Sequence, residues 1–432
     1  MILLLYAVIS CIPFVCASLP SLNDTYIHTL DSSTCSPCNT RTLWDILWSC
    51  GLTLFACTWT AVHPDIPGVD DGVVRKFFSR LGLMIMTLFA PEVTISWAVA
   101  QFLGARDTAN KFNDAIDAPC AHDRRAICMD SDSAVMLLGD IPNSSRSSRA
   151  RWTLVHGFFA VMGGFVLYVD GEPRARLIPS ELLDFVHEGS VEMPTITEAE
   201  IKDRSKGDGI SKCVAILQLV WFVIQFIARY AQGLPVTLLE IDTMGIAALA
   251  CIAYGFWWKK PKDIGRPYIV HWKSEVIAPR RGSLAREYRP GKRRSYVSSS
   301  MRIEVGDDEA AYTTLIILCV SGMMFGGIHC LGWNYLFQAH EEQILWRVAS
   351  VGLASSPITF VILSIFFIDW FGATRNINRY WLANVVTNVG LEVYVFSRIT
   401  IFVLMFLSLL RSLPPGAYDT VAWTMHIPHV NL

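Results

Sequence analysis

Charge is what this chain has least of. Asp, Glu, Lys and Arg make up 17% of its 432 residues, against roughly 25% in an ordinary soluble protein, and that scarcity argues against a soluble enzyme. The formal net charge is -2, so there is no global basic field to grip a nucleic acid, and nucleic acid is not an expected partner. Signatures of chemistry are missing too. The sequence has no P-loop, HExxH, GxSxG elbow, GxGxxG after a strand or DDxxD pattern, and neither a cofactor nor a metal is expected. The nearest acidic spacing, Asp203 and Asp208 in DRSKGD, reads as a capping turn.

What is abundant is apolar surface. Hydrophobic residues make up 52% of the chain, with 14 Trp and 23 Phe, the composition of an integral membrane protein whose first partner is the lipid bilayer. Windows of about twenty apolar residues, each sufficient for a hydrocarbon core of roughly 30 Å, occur near 44–62, 81–103, 212–230, 235–258, 313–333, 351–371 and 390–410. An eighth window, 152–169, runs into Asp170-Gly171 between alternating residues, which is also a hairpin signal. Ahead of these, residues 1–17 read as a signal peptide with small residues Val15 and Ala17 before the cut, although its start carries no Lys or Arg. An uncleaved anchor is the alternative. Segment 18–43 is then luminal, with Asn23 in a glycosylation acceptor and Cys35 and Cys38 available for a disulfide.

Sidedness follows from the basic loop. Between 259 and 302, thirteen Lys and Arg stand against three acids, Asp263, Glu275 and Glu287, so the loop belongs in the cytoplasm. From an outer N-terminus an odd number of crossings must precede it, and only 152–169 makes the count odd. The expectation is therefore an all-α multi-pass helix bundle of about eight spans, with seven as the alternative. Its parts are a first membrane segment 44–169 with an insertion 105–151, a small α+β solvated insertion 170–211, a transmembrane hairpin 212–258 and a basic loop 259–311. A C-terminal membrane segment 312–411 and a tail 412–432 complete it. The eight-span count places 109–148 outside, where Asn143 could be glycosylated and Cys120 and Cys128 could pair. Ser283 and Ser295 follow paired arginines in the cytoplasmic loop, and phosphate there would weaken its hold on anionic lipid.

Ionisable groups inside spans cost about 2.5 to 3.5 kcal/mol each at the bilayer centre on insertion scales and so need a partner or a task. Glu92 follows Pro91, where a helix loses a backbone donor and opens a polar notch. Gln218, Gln225 and Arg229 share one helix face, and Arg229 is the expected partner of Glu240 across the short turn before 235. Asp242, two residues beyond Glu240, points away from it. Asn384, Asn388 and Glu392 recur every four residues as the clearest polar line, with Arg398 rotated off it. His329 and Asp369 lie near span ends, and Gly322, Gly326 and Gly327 have the small-xxx-small spacing of close helix packing.

The phrases CTWTAVHPDIP (57–67), APEVTISWAVAQ (90–101), HGFFAVMGGFVLY (156–168), EIKDRSKGDGISK (200–212), GLPVTLLEI and YGFWWKKPKDI, with AHEEQILWRVAS (339–350) and IPHV (427–430), resemble a large family of fungal multi-pass membrane proteins without assigned activity. The resemblance covers nearly the whole chain, apart from a long insertion at 109–148, and implies no catalytic or ligand residues. From the residues alone, an ion or small-solute channel or transporter accounts best for the intramembrane polar groups. A receptor or sensor with a glycosylated outer N-terminus is one alternative. An enzyme acting on lipid or isoprenoid, with Glu92 or His156 as acid, is another. The expected location is a membrane of the secretory pathway, the plasma membrane or an endomembrane.

Overall fold

The computed structural model describes residues 40–60, 62–67, 72–117, 151–205, 209–273, 284, 308–372, 379–411, 413–414 and 416–421. The leader, Asn23, Cys35, Cys38, Cys120, Cys128, Asn143, Ser283 and Ser295 lie outside them.

Helix α1, Leu43–Phe55, starts at a capping box in which Thr42 and Asp45 each satisfy the other's backbone N–H. It continues through a π turn, Ala56–Thr60. Helices α2, Val73–Phe89, and α3, Pro91–Asp117, follow and are bent 115° apart. The single span expected over 81–103 is thus two helices. Proline has no N–H to continue α2 and disfavours helical backbone in the residue before it, and Ala90 accordingly sits at φ -144, ψ 69.

The span expected over 152–169 is also replaced. Helix α4, Leu154–Val161, has only 8 residues, and the chain then enters strand β1, Phe165–Val169, and strand β2, Glu172–Arg176, joined by Asp170 (φ 53) and Gly171 (φ 81). Two left-handed residues give the turn the twist a two-residue hairpin needs, so the hairpin signal prevails over the apolar run. Helices α5, Pro179–His187, and α6, Glu198–Arg204, come next. Strand β3, Tyr268–His271, returns from beyond the following helix pair and lies parallel to β1, giving the order β2-β1-β3. The α+β unit therefore begins near Trp152, earlier than 170, and borrows 268–271 from the stretch read as basic loop.

Helices α7, Gly209–Ala231, α8, Leu238–Phe256, α9, Asp308–His329, α10, His340–Gly372, and α11, Arg379–Leu410, form the bundle. Among the described residues, five stretches are long and apolar enough to cross a membrane: Cys213–Ala231, Leu238–Phe256, Tyr312–Gly332, His340–Leu363 and Asn388–Leu410. Four of them match expected windows to within three residues, while His340–Leu363 only overlaps the window 351–371 and begins eleven residues before it. The bent pair α2 and α3 would make a sixth if counted as one span. Close packing uses small residues: a Cβ on Gly326 would overlap the backbone of Ala354, and one on Gly322 would meet the Pro357 ring at 2.8 Å.

Contacts define two ends of the molecule. At the first, Arg41 before α1 donates to Glu240 in the first turn of α8 (2.5 and 3.1 Å) and to the carbonyl of Ala417 (2.8 Å) beyond α11. At the second, Lys262 beyond α8 donates to Thr60 at the close of α1 (2.6 Å), and Ser205 ahead of α7 donates to the Lys262 carbonyl (2.8 Å). The α+β unit sits at this second end against the outer half of α3. Trp152 stacks on Phe112 with ring centroids 3.8 Å apart, and Gly157 has no room for a Cβ beside the Ala105 backbone. The outer half of α3 and, through Arg80 and Asp263 (3.2 Å), α2 both reach this second end, and the two helices are bent 115° apart.

Candidate functional site

The break between α2 and α3 exposes two kinds of backbone group inside the bundle: the last carbonyls of α2 and the first N–H groups of α3. Arg398 of α11, 4% exposed, answers the first kind. Its guanidinium donates to the Leu88 carbonyl (2.8 Å) and the Phe89 carbonyl (3.1 Å). A third N–H reaches Asp242 Oδ1 on α8 at 3.1 Å, and the guanidinium carbon lies 4.1 Å from the Phe325 ring centroid and 4.4 Å from that of Phe402. One planar cation thus caps a helix, forms an ion pair and packs on two aromatic faces, a combination Lys could not reproduce.

Asp242 is shared. His329 of α9 brings Nε2 to 3.1 Å from the same Oδ1, while its Nδ1 faces the Phe325 carbonyl at 2.8 Å. Glu92, in the first turn of α3, is 3% exposed and accepts a hydrogen bond at Oε1 from the Tyr394 hydroxyl of α11. Its Oε2 is buried without a hydrogen-bond partner. The field of Glu92 is felt at Tyr394, and those of Arg398 and His329 at Glu92. Five polar side chains from α3, α8, α9 and α11 therefore meet at the break between α2 and α3. Nine residues of helix separate Glu92 from Gln101 at the second end, about 14 Å at the helical rise.

A second buried cation anchors that end. Lys260, 2% exposed, donates to the His63 carbonyl (2.5 Å), to Gln101 Oε1 (2.8 Å) and to Asp65 Oδ1 (3.1 Å). Gln101 also receives Trp257 Nε1–H at 2.9 Å and donates to Asp65 at 3.0 Å. The ammonium lies 5.0 Å from the Trp97 ring centroid and 5.1 Å from that of Trp257. Burial pulls the Lys260 ammonium below its ordinary range, and Asp65 opposes the shift. Three acceptors match its three donors, so this cluster is a lock joining the segment after α1 to α3 and the end of α8.

The expected site residues divide. Glu92, Asp242 and Arg398 come together, and Arg398 faces inward rather than off the line. Arg229 does not pair with Glu240: it donates to the carbonyls of Asp419 (2.6 Å), Pro235 (2.7 Å) and Ala417 (3.2 Å). Glu240 is taken by Arg41, whose fork reaches both carboxylate oxygens from an adjacent element that sequence spacing does not reveal. Gln218 bonds Thr53 across to α1 at 3.2 Å, and Gln225 is half-buried. Asn388 and Glu392 are exposed on the outside of α11, and the Asn384 side chain lies outside the described residues. The polar line that looks clearest in the sequence is thus not turned into the bundle. His156 is buried, with Nδ1 accepting from the Thr153 N–H (3.0 Å) and Nε2–H donating to the Ile196 carbonyl (3.0 Å), a capping arrangement. Tyr394, Arg41 and Lys260 were missed. Only Lys260 left a signal, a lysine pair directly after Trp257-Trp258 at a span end. Among the described residues no group of three or more His, Cys, Asp or Glu is placed to hold a metal ion.

The phrases that carry the resemblance converge here: HPD of 63–65, WAVAQ of 97–101 and WWKKPK of 257–262 meet at Lys260. A model for a family of unknown function (DUF8562) matches residues 18–280. The chain belongs to that family. The matched region contains Glu92, Asp242 and Lys260, whereas His329, Tyr394 and Arg398 lie beyond it. No curated protein matches the chain, and no solved structure does.

Proposed function

We propose that this DUF8562 protein is a multi-pass membrane protein that carries an ion or small solute across the bilayer, with the tip of the re-entrant pair α2 and α3 as its gate. The observation that carries this reading is the buried helix break itself. Interrupted helices inside a membrane are tolerated where protein or a water-filled path satisfies the freed backbone groups, and half-helix ends at mid-depth are where membrane carriers bind ions. Here Arg398 satisfies the carbonyl end, and Glu92 offers an unpartnered carboxylate oxygen. About 14 Å from the second end is close to half of a roughly 30 Å core.

Orientation follows from charge. The basic stretch 259–302 emerges from the second end, which is therefore cytoplasmic. Residues 43–60, α1 with its π turn, are not among the five long apolar stretches but run from the first end to the second; with that crossing counted, α1, α7 and α8 precede the loop, an odd number, and the N-terminus lies outside. The parity argument survives because two expected crossings disappear together, 81–103 into a re-entrant pair and 152–169 into a hairpin. The insertion flanked by Asp117 and Arg151, which pair at 2.9 Å, is then cytoplasmic, and so is the α+β unit.

The test is flux in proteoliposomes under an imposed potassium potential, with a luminal pH dye and ion-selective dyes as readouts. Flux above that of empty vesicles, altered in Glu92→Gln, is the expected outcome. Absence of flux for protons, monovalent cations and chloride, with correctly folded protein in the membrane, would count against translocation of ions. A receptor remains the second reading only if Asn23 is glycosylated and no flux is found.

A further inference from the structure

We infer that the cluster at the re-entrant tip holds one transferable proton, seated on His329 in the conformation described and received by Glu92 when it moves, so that the ion handled at this site is H⁺. The purpose of that proton rests on the translocation reading, while its presence rests on the geometry of the cluster.

His329 is 0% exposed, and each ring nitrogen faces an acceptor. The Phe325 carbonyl at 2.8 Å accepts only, so Nδ1 carries a hydrogen. Asp242 Oδ1 at 3.1 Å simultaneously takes an N–H of Arg398 at 3.1 Å, which identifies it as carboxylate, so Nε2 carries a hydrogen as well. A ring with hydrogens on both nitrogens is an imidazolium.

Charge counting independently calls for one added proton in the cluster, without fixing its seat. The groups facing one another are Glu92 on α3, Asp242 on α8, His329 on α9, and Tyr394 and Arg398 on α11. From α1, the Cys50 thiol adds a weak interaction with Asp242. Two carboxylates and one guanidinium leave one uncompensated negative charge in a buried site, which is costly. One added proton brings the cluster to neutrality. It can reside on His329, giving two ion pairs, or on Glu92, leaving Arg398 with Asp242. Moving it from His329 Nε2 to Glu92 Oε2 changes no net charge within the cluster. Oε2 is the buried atom without a partner, so it can accept without displacing the Tyr394 hydrogen bond to Oε1. Release of that proton to either side leaves the cluster negative until another arrives, which is the property that couples a carrier to a proton gradient.

The test is spectroscopic and uses the full chain in lipid. Nitrogen-15 spectra of labelled histidine should contain one buried imidazolium at neutral pH, lost in His329→Gln. In the infrared, the carbonyl stretch of a protonated, buried carboxyl should appear in His329→Gln, because the cluster's proton then has only Glu92 to occupy. It should vanish again in the double variant with Glu92→Gln. A neutral His329 in the wild type together with no carboxyl band in folded His329→Gln would overturn the shared proton. If His329→Gln does not fold, the wild-type spectra decide: a neutral His329 there without a protonated carboxyl band overturns the shared proton. The predicted spectra without proton-driven flux in proteoliposomes would support the shared proton and refute only its use in translocation.

Discussion

Replacing Lys260 with Met removes a charge while keeping most of the apolar stem between Trp97 and Trp257. Its ammonium is fully enclosed and its partner Asp65 is 16% exposed at the side chain. The variant strands that carboxylate beside Gln101, whose Oε1 loses one of its two donors, and leaves the His63 carbonyl without its Lys260 hydrogen bond. Breaking one partner out of a buried pair costs about 3 to 5 kcal/mol, because the remaining charge keeps its desolvation penalty and loses its counter-charge. Asp65→Asn alone should cost less, since the amide still accepts from Gln101 and Lys260 retains two acceptors. The double variant should be more stable than the sum of the two single losses predicts, because neither charge is then left alone. Unfolding of the purified protein in mixed micelles with rising sodium dodecyl sulfate, followed by tryptophan emission, reads all four stabilities. A loss below about 1 kcal/mol for Lys260→Met, the range of an exposed pair, would refute the lock. So would additivity of the two changes within about 0.5 kcal/mol.

Burial lowers the His156 ring below its ordinary value of 6.5, so on acidification the unfolded chain takes up a proton before the folded one. The stabilising contribution is then complete above about pH 6.5 and declines below it; thermal midpoints at stepped pH should fall on the acid side, and less steeply in His156→Asn. The proposed orientation puts the insertion that holds Asn143 in the cytoplasm, so Asn143→Gln should leave the deglycosylation shift unchanged while Asn23→Gln abolishes it, and a shift lost with Asn143→Gln would invert the orientation. Gly157→Val forces a branched side chain into the Ala105 backbone and should destabilise by at least the 1 to 3 kcal/mol typical of overpacking, measured as a fall in the fraction surviving gel filtration after mild heating.

Composition and windows of apolar residues were enough to place five long helices, because a run of about twenty apolar residues has few alternatives to a buried or membrane-crossing helix. Local chemistry also pointed to two departures. Pro91 marked the notch at Glu92, and Asp170-Gly171 marked the hairpin, since both act on the backbone within a few residues. What the sequence could not decide was how strongly each local signal would be felt against the apolar run containing it. At 152–169 the outcome depended on β3, a strand from about a hundred residues further on, which gives β1 its second neighbour. At 81–103 it depended on Arg398, which satisfies the carbonyls that a broken helix exposes. Partner choice was equally nonlocal. Helical spacing put Asn384, Asn388 and Glu392 on one face but contained nothing about which face the bundle would bury. Arg229 and Glu240 were neighbours in sequence, yet Arg41 and the segment around Ala417 lay closer in space. Periodicity fixes a residue's angle about its own helix axis. The packing of α3, α8, α9 and α11 against one another determines which of those angles points at another charge.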